Sequence, residues 1–107
     1  MSYRILTTDL FNKEFKVLRK RYRSLPKDIL QLVEELKLVP LKGEPLGKDC
    51  YKIRVAISSK GKGKSGGARL ITRVRVVQNT IYLLSIYDKS DKENISDKDL
   101  EAVLKSL

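Results

Sequence analysis

Between Lys48 and Arg75 the chain carries nine basic side chains, Lys48, Lys52, Arg54, Lys60, Lys62, Lys64, Arg69, Arg73 and Arg75, against one acid, Asp49. A surface built only for solubility mixes both signs, whereas cations crowded this densely repel one another unless an anion sits among them. Such a segment is built to grip a polyanion, RNA above all. Crowding also disfavours the protonated form of a lysine and lowers its pKa toward neutrality, which suits a general base. Cleaving RNA through its own 2′-hydroxyl requires that base, cations for the charge developing on phosphate, and an acid for the leaving 5′-oxygen. Lys, Arg and Tyr can fill all three roles. Tyr87, at the end of the last expected strand, is placed to donate a proton or to stack on a base.

What the chain lacks narrows the chemistry further. There is no histidine and one cysteine, Cys50, so intramolecular disulfides, ordinary zinc sites and histidine-based triads are excluded. No cofactor and no metal are expected. Gly63-Lys64-Ser65 invites a phosphate-loop reading, but that motif needs a glycine where Ser58 stands and a helix where a strand is expected. The net charge of +10 is uneven, because from Asp88 onward six acids outnumber four lysines. No apolar run approaches the roughly 18 residues of a membrane span, and the first residues lack the pattern of a secretory signal. A cytoplasmic protein without membrane contact is expected.

Elements able to hold these side chains follow from periodicity. Residues 3 to 8 alternate as a short strand, and Thr7 or Thr8 can cap a helix with Asp9 in its first turn. Phe11, Phe15, Leu18 and Tyr22 form one helical stripe, opposite Lys13, Lys16, Lys20 and Arg23. Ser24-Leu25-Pro26 breaks the helix and starts another whose stripe is Ile29, Leu32, Val33 and Leu36. Pro40, Gly43, Pro45 and Gly47 mark a loop. Two alternating segments follow, one with Tyr51, Ile53, Val55 and Ile57 inward, the other with Leu70, Thr72, Val74 and Val76 inward and Arg69, Ile71, Arg73 and Arg75 outward. Ser58 to Gly67 joins them as a glycine- and lysine-rich hairpin loop. Gln78-Asn79 turns into a last strand, and Ser96 with Asp99 opens a final helix carrying Leu100, Val103, Leu104 and Leu107. The expected fold is a single α+β domain over residues 1–107, ordered β-α-α-β-β-β-α. In it the helical hairpin packs on one face of a small twisted antiparallel sheet and leaves the other face basic.

Three stretches, Cys50-Tyr51-Lys52-Ile53-Arg54, Lys60 through Ile71 with its Gly-Gly-Ala-Arg core, and Leu83 through Lys89, resemble the RelE/ParE superfamily of toxins, in particular its HigB/RelE-like branch. The resemblance spans most of the chain, and the Gly-Lys-Gly-Lys loop with Gly-Gly-x-Arg is its most specific part. It implies a RelE-like fold and a toxin of a toxin-antitoxin system that inhibits translation by ribosome-dependent, metal-independent cleavage of messenger RNA. By position it matches Lys52 and Arg54 on the second strand, Arg69 on the third and Lys62 and Lys64 in the loop; taken with the reading of the residues above, the expected catalytic residues are Arg69, Lys62, Lys64, Arg54 and Tyr87, and the RNA-binding residues Lys52, Lys60, Arg73 and Arg75. Its partners would be the ribosome, mRNA and a cognate antitoxin of helix-turn-helix type that inhibits with an acidic or sheet-extending segment; the toxin-antitoxin complex would bind operator DNA. The chain departs from the pattern near its C-terminus, where Lys89-Ser90-Asp91-Lys92 stands in place of a further arginine and no tyrosine follows. Two alternatives share the fold: a non-enzymatic ParE-type inhibitor of gyrase, and an RNA-binding module without catalysis.

Overall fold

The computed structural model describes residues 3–61 and 63–107 of the 107-residue chain. The elements are β1 (Arg4–Thr7), α1 (Asp9–Arg21), α2 (Leu25–Leu38), β2 (Glu44–Gly47), β3 (Cys50–Val55), β4 (Ala68–Arg75), β5 (Thr80–Asp88) and α3 (Asp97–Lys105). Both expected caps form: Thr8 Oγ1 accepts from the Phe11 amide at 3.0 Å, and Ser96 Oγ from the Asp99 amide at 3.1 Å. At the break between the helices Ser24 makes no cap bond; its hydroxyl turns instead to Asp28, 2.8 Å away.

Phe11, Leu18, Leu25, Ile29, Leu32 and Leu36 bury the helical hairpin against Ile53, Val55, Leu70, Val74, Ile81, Leu83 and Ile86 of the sheet and Ile57 just beyond β3. This α+β arrangement, helices laid on a small sheet, is the expected one. The sheet itself is five-stranded and mixed, in the order β1-β5-β4-β3-β2. β1 pairs parallel to β5, with Arg4 opposite Thr80. No hairpin ties β1 to a neighbour, so only the packing of the intervening helices could decide its partner.

Two details were hidden by turn chemistry. The segment expected as a loop contains β2, an edge strand that tolerates Pro45, as edge strands do. A two-residue turn joins it to β3, with Lys48 and Asp49 both at positive φ, 54° and 64°. That is the hairpin turn usually marked by Asn-Gly or Asp-Gly, here made without glycine at either centre. In β5 the register slips between Ile71/Ser85 and Thr72/Leu83, so Leu84 is an extra residue. Beyond this bulge the alternation reverses, and Tyr87 faces away from the helical hairpin while Asp88 faces it.

The face opposite the hairpin is not uniformly basic. α3 packs there, and Cys50, Ile71, Leu84, Tyr87, Leu100 and Val103 form a second apolar cluster. Leu100 and Val103 of the expected stripe are buried, whereas Leu107 stays 47% exposed. α3 thereby covers part of the face that strand alternation alone would leave basic.

Candidate nucleic-acid interface

Antiparallel register sets Arg54 opposite Arg69, and Arg69 opposite Tyr87, so the three stand in one row across β3, β4 and β5. Directly paired residues share a face, with Cβ atoms about 5 Å apart. This row lies where the Ser58–Gly67 loop leaves and re-enters the sheet. Arg54 is exposed and lines a notch of about 150 Å³ together with Lys64 and Lys42. Arg69 is only 4% exposed. Its guanidinium donates to the carbonyls of Lys64 (3.0 Å), Ala68 (3.0 Å) and Ser65 (3.1 Å), which fixes the returning arm of the loop beside the row. Lys62 lies outside the described residues.

Tyr87 is buried, its hydroxyl donating to the Glu93 carbonyl at 3.5 Å and one ring face covered by Lys92, whose Nζ is 4.8 Å from the centroid. Burial raises its pKa, so the phenol holds its proton at neutral pH. Stacking on a base would require the chain around Lys92 and Glu93 to move.

The other expected cations are largely spoken for. Lys52 pairs with Glu44 (3.2 Å) and donates to Asn94 Oδ1 (2.7 Å). Arg75 pairs with Asp49 at 3.5 Å, and Lys48 with Glu101. Lys60 Nζ lies 2.7 Å from Asp88 Oδ1, and that bond raises its pKa. The expectation that crowding depresses the lysines is therefore reversed at Lys60, because a buried carboxylate unseen in the local sequence faces it. Arg73 stands opposite Cys50 and Tyr82, with a buried Nε that has no partner among the described atoms. Of the nine residues, Arg54, Lys64, Arg69 and Tyr87 come together; Lys52, Lys60, Arg73 and Arg75 lie on the same strands or loop but outside the row.

Asp88 and Asp28 are residues that sequence reasoning missed. Burial would push the Asp88 carboxyl up, but Lys60, Tyr22 and Ser90 together hold it far below the usual carboxylate range. Burial opposes ionisation of Asp28 as well, and the Ser58 and Ser24 donors outweigh it and bring its pKa below the ordinary value. No local pattern marked either, since their partners lie 28 to 66 positions away in three cases.

A helical hairpin on one face of a small mixed sheet and a third helix on the other, with two arginines and a tyrosine aligned across three strands beside the loop that carries Lys64, define a compact α+β protein that presents cations from a rigid sheet. The chain belongs to the RelE family: the model described as RelE toxin of the RelE / RelB toxin-antitoxin system matches residues 4–106. Among solved structures, a double arginine-to-alanine mutant of the E. coli toxin RelE in the free state is similar over 100% of this chain and 99% of its own, at 19% identity and a TM-score of 0.65. A metal-bound toxin from Helicobacter pylori is similar over 85% of this chain and 98% of its own, at 21% identity and a TM-score of 0.54. At these identities the likeness is one of fold. Among the described residues no helix is long and apolar enough to cross a membrane.

Proposed function

We propose that this toxin is a ribosome-dependent endoribonuclease that inhibits translation by cutting mRNA through attack of the ribose 2′-hydroxyl, without a metal. The observation that carries the reading is the Arg54–Arg69–Tyr87 row with Lys64 beside it. Arg54 is the accessible planar donor for a phosphate oxygen, and guanidinium suits that contact because its fork matches two oxygens at once. Arg69 serves from beneath, supplying fixed positive charge and holding the loop that carries Lys64. Lys62 and Lys64 are the candidate bases, each able to replace the other in part. Tyr87, protonated and next to Arg69, is the candidate acid for the leaving oxygen once Glu93 releases its hydroxyl. Supplying charge stabilisation from groups already fixed in place is worth most where little has to reorganise. The ribosome would hold the RNA, since Arg54 and Lys64 open onto a notch of only about 150 Å³, with Arg69 and Tyr87 beneath the surface.

The cognate antitoxin, on this reading, covers the same cations with an acidic or sheet-extending segment, and the ribosome and mRNA are the productive partners. Purified toxin on programmed ribosomes, with cut sites mapped by primer extension, tests the proposal. Cuts within the decoding site that disappear with Arg54→Ala support it. No cutting, together with inhibition of DNA supercoiling by gyrase, would replace it with the ParE-type reading.

A further inference from the structure

Two buried carboxylates grip the start of the basic loop, an unexpected place for acids if the loop serves a polyanion. Asp28 on α2 accepts from the Ser58 amide (2.9 Å) and hydroxyl (2.6 Å) and from Ser24 Oγ, which in turn accepts from the Ser59 amide at 2.8 Å. One residue further, Lys60 meets Asp88, whose side chain is 0% exposed. Asp88 also accepts from the Tyr22 hydroxyl at 2.5 Å and from the Ser90 amide and hydroxyl at 3.0 and 2.7 Å, with Arg21 at 3.4 Å. Lys60 lies over the Tyr22 ring, 5.5 Å from its centroid.

The far end of the loop is tied as firmly. Arg69 holds the Lys64 and Ser65 carbonyls, and the Lys89 amide donates to the Gly67 carbonyl at 3.1 Å. Gly67 lies so close to β3 that an added Cβ would stand 2.0 Å from the Val55 carbonyl oxygen. A glycine-rich loop left to itself would lose on the order of 1–2 kcal/mol per residue on being ordered. Here the two ends of the loop are ordered before any ligand arrives, by ties to Ser24, α2, β4 and β5. Asp88 is ion-paired with Lys60 and Arg21, and Asp28 is hydrogen-bonded by Ser24 and Ser58, so each carboxylate is satisfied inside the fold and does not stand free toward a polyanion.

We propose that Asp28 and Asp88 are positioning residues for the toxin's RNA-cleaving site: by pinning Ser58, Ser59 and Lys60 they aim the loop so that Lys64 stands beside Arg54 and Arg69. This rests on the ribonuclease reading above. Asp88→Asn keeps the shape and removes the charge that holds Lys60; Lys60→Gln releases the same tie from the loop side, should Asp88→Asn fold poorly. Single-turnover cleavage on programmed ribosomes should fall about tenfold or more at saturation in both, while the half-saturating concentration moves by less than about threefold. In a background with both Lys62→Ala and Lys64→Ala, Asp88→Asn should cost little more, because it acts through the loop lysines. Limited trypsin digestion of the free protein should nick the chain after Lys64 about tenfold faster in Asp88→Asn. Multiplying effects in the cycle, or a wild-type rate, would overturn the positioning role. Unchanged nicking would overturn the anchoring itself, and a wild type that cuts no RNA while the nicking difference persists would sink the ribonuclease reading and leave the anchoring standing.

Discussion

Replacing Arg69 by alanine separates two roles that a solvent-exposed arginine could not combine. In the fold its guanidinium makes three hydrogen bonds to carbonyls and is almost fully buried. A net bond from a charged donor contributes about 1.5–3 kcal/mol, which puts three of them at an upper bound of roughly 5–9 kcal/mol. Lys64 and Ser65 sit in an exposed loop, so water recovers much of what their carbonyls lose. The remaining cost is about 2–3 kcal/mol, or a drop of roughly 10–20 °C in Tm for a domain of this size. Cleavage should fall by about 10²–10³, the usual loss for one preorganised donor to a developing charge. Arg54→Ala makes the contrast, because Arg54 is exposed and an ordinary surface change stays within about 0.5 kcal/mol; it should lose rate and keep its Tm. Differential scanning calorimetry and single-turnover cleavage on the same two variants decide the matter. If Arg69→Ala melts within about 2 °C of the wild type, or cuts at the wild-type rate, the reasoning about the row is wrong.

Affinity for single-stranded RNA should fall with salt at a log-log slope of about −3, from roughly four engaged cations at 0.7 each; a slope near zero in fluorescence anisotropy would remove the electrostatic argument. The depressed pKa of Asp88 means that the unfolded chain takes up the proton first, so its stabilisation is complete above the unfolded value near 3.8 and is lost as pH falls through the lower folded value. Unfolding free energies of wild type and Asp88→Asn from urea titrations should therefore differ by about 2–4 kcal/mol at pH 7 and converge in strong acid, and parallel curves would refute the assignment. RNA products should end in a 2′,3′-cyclic phosphate, since the attacking oxygen belongs to the substrate; a linear 3′-phosphate formed at once would point to water as the nucleophile. Arg54→Glu should weaken binding of the cognate antitoxin in calorimetric titration, and unchanged affinity would move inhibition to another surface.

Local patterns were enough for most of the frame. Helical spacing of Phe11, Phe15, Leu18 and Tyr22, and of Ile29, Leu32, Val33 and Leu36, marked the two helices because a buried stripe must recur once per turn. Strand alternation placed Arg54 and Arg69 on the face away from the hairpin, because side chains in a strand point to opposite sides in turn. The lysine loop was legible as composition alone. What the tertiary structure decided lies wherever the partner is distant or the period slips. Parallel pairing of β1 with β5 depends on how two helices return the chain, and β2 on a turn with two residues at positive φ. The bulge at Leu84 turns Tyr87 to the arginine face and Asp88 to the hairpin, a choice that strict alternation would reverse. Above all, a count of cations could not tell free charges from paired ones. Lys60 is neutralised by a carboxylate 28 residues away and Lys52 by one across an unexpected strand, while exposed Arg54 has no ion-pair partner among the described residues. Charge is additive along a chain, but its field depends on which opposite charge the fold brings within a few ångströms.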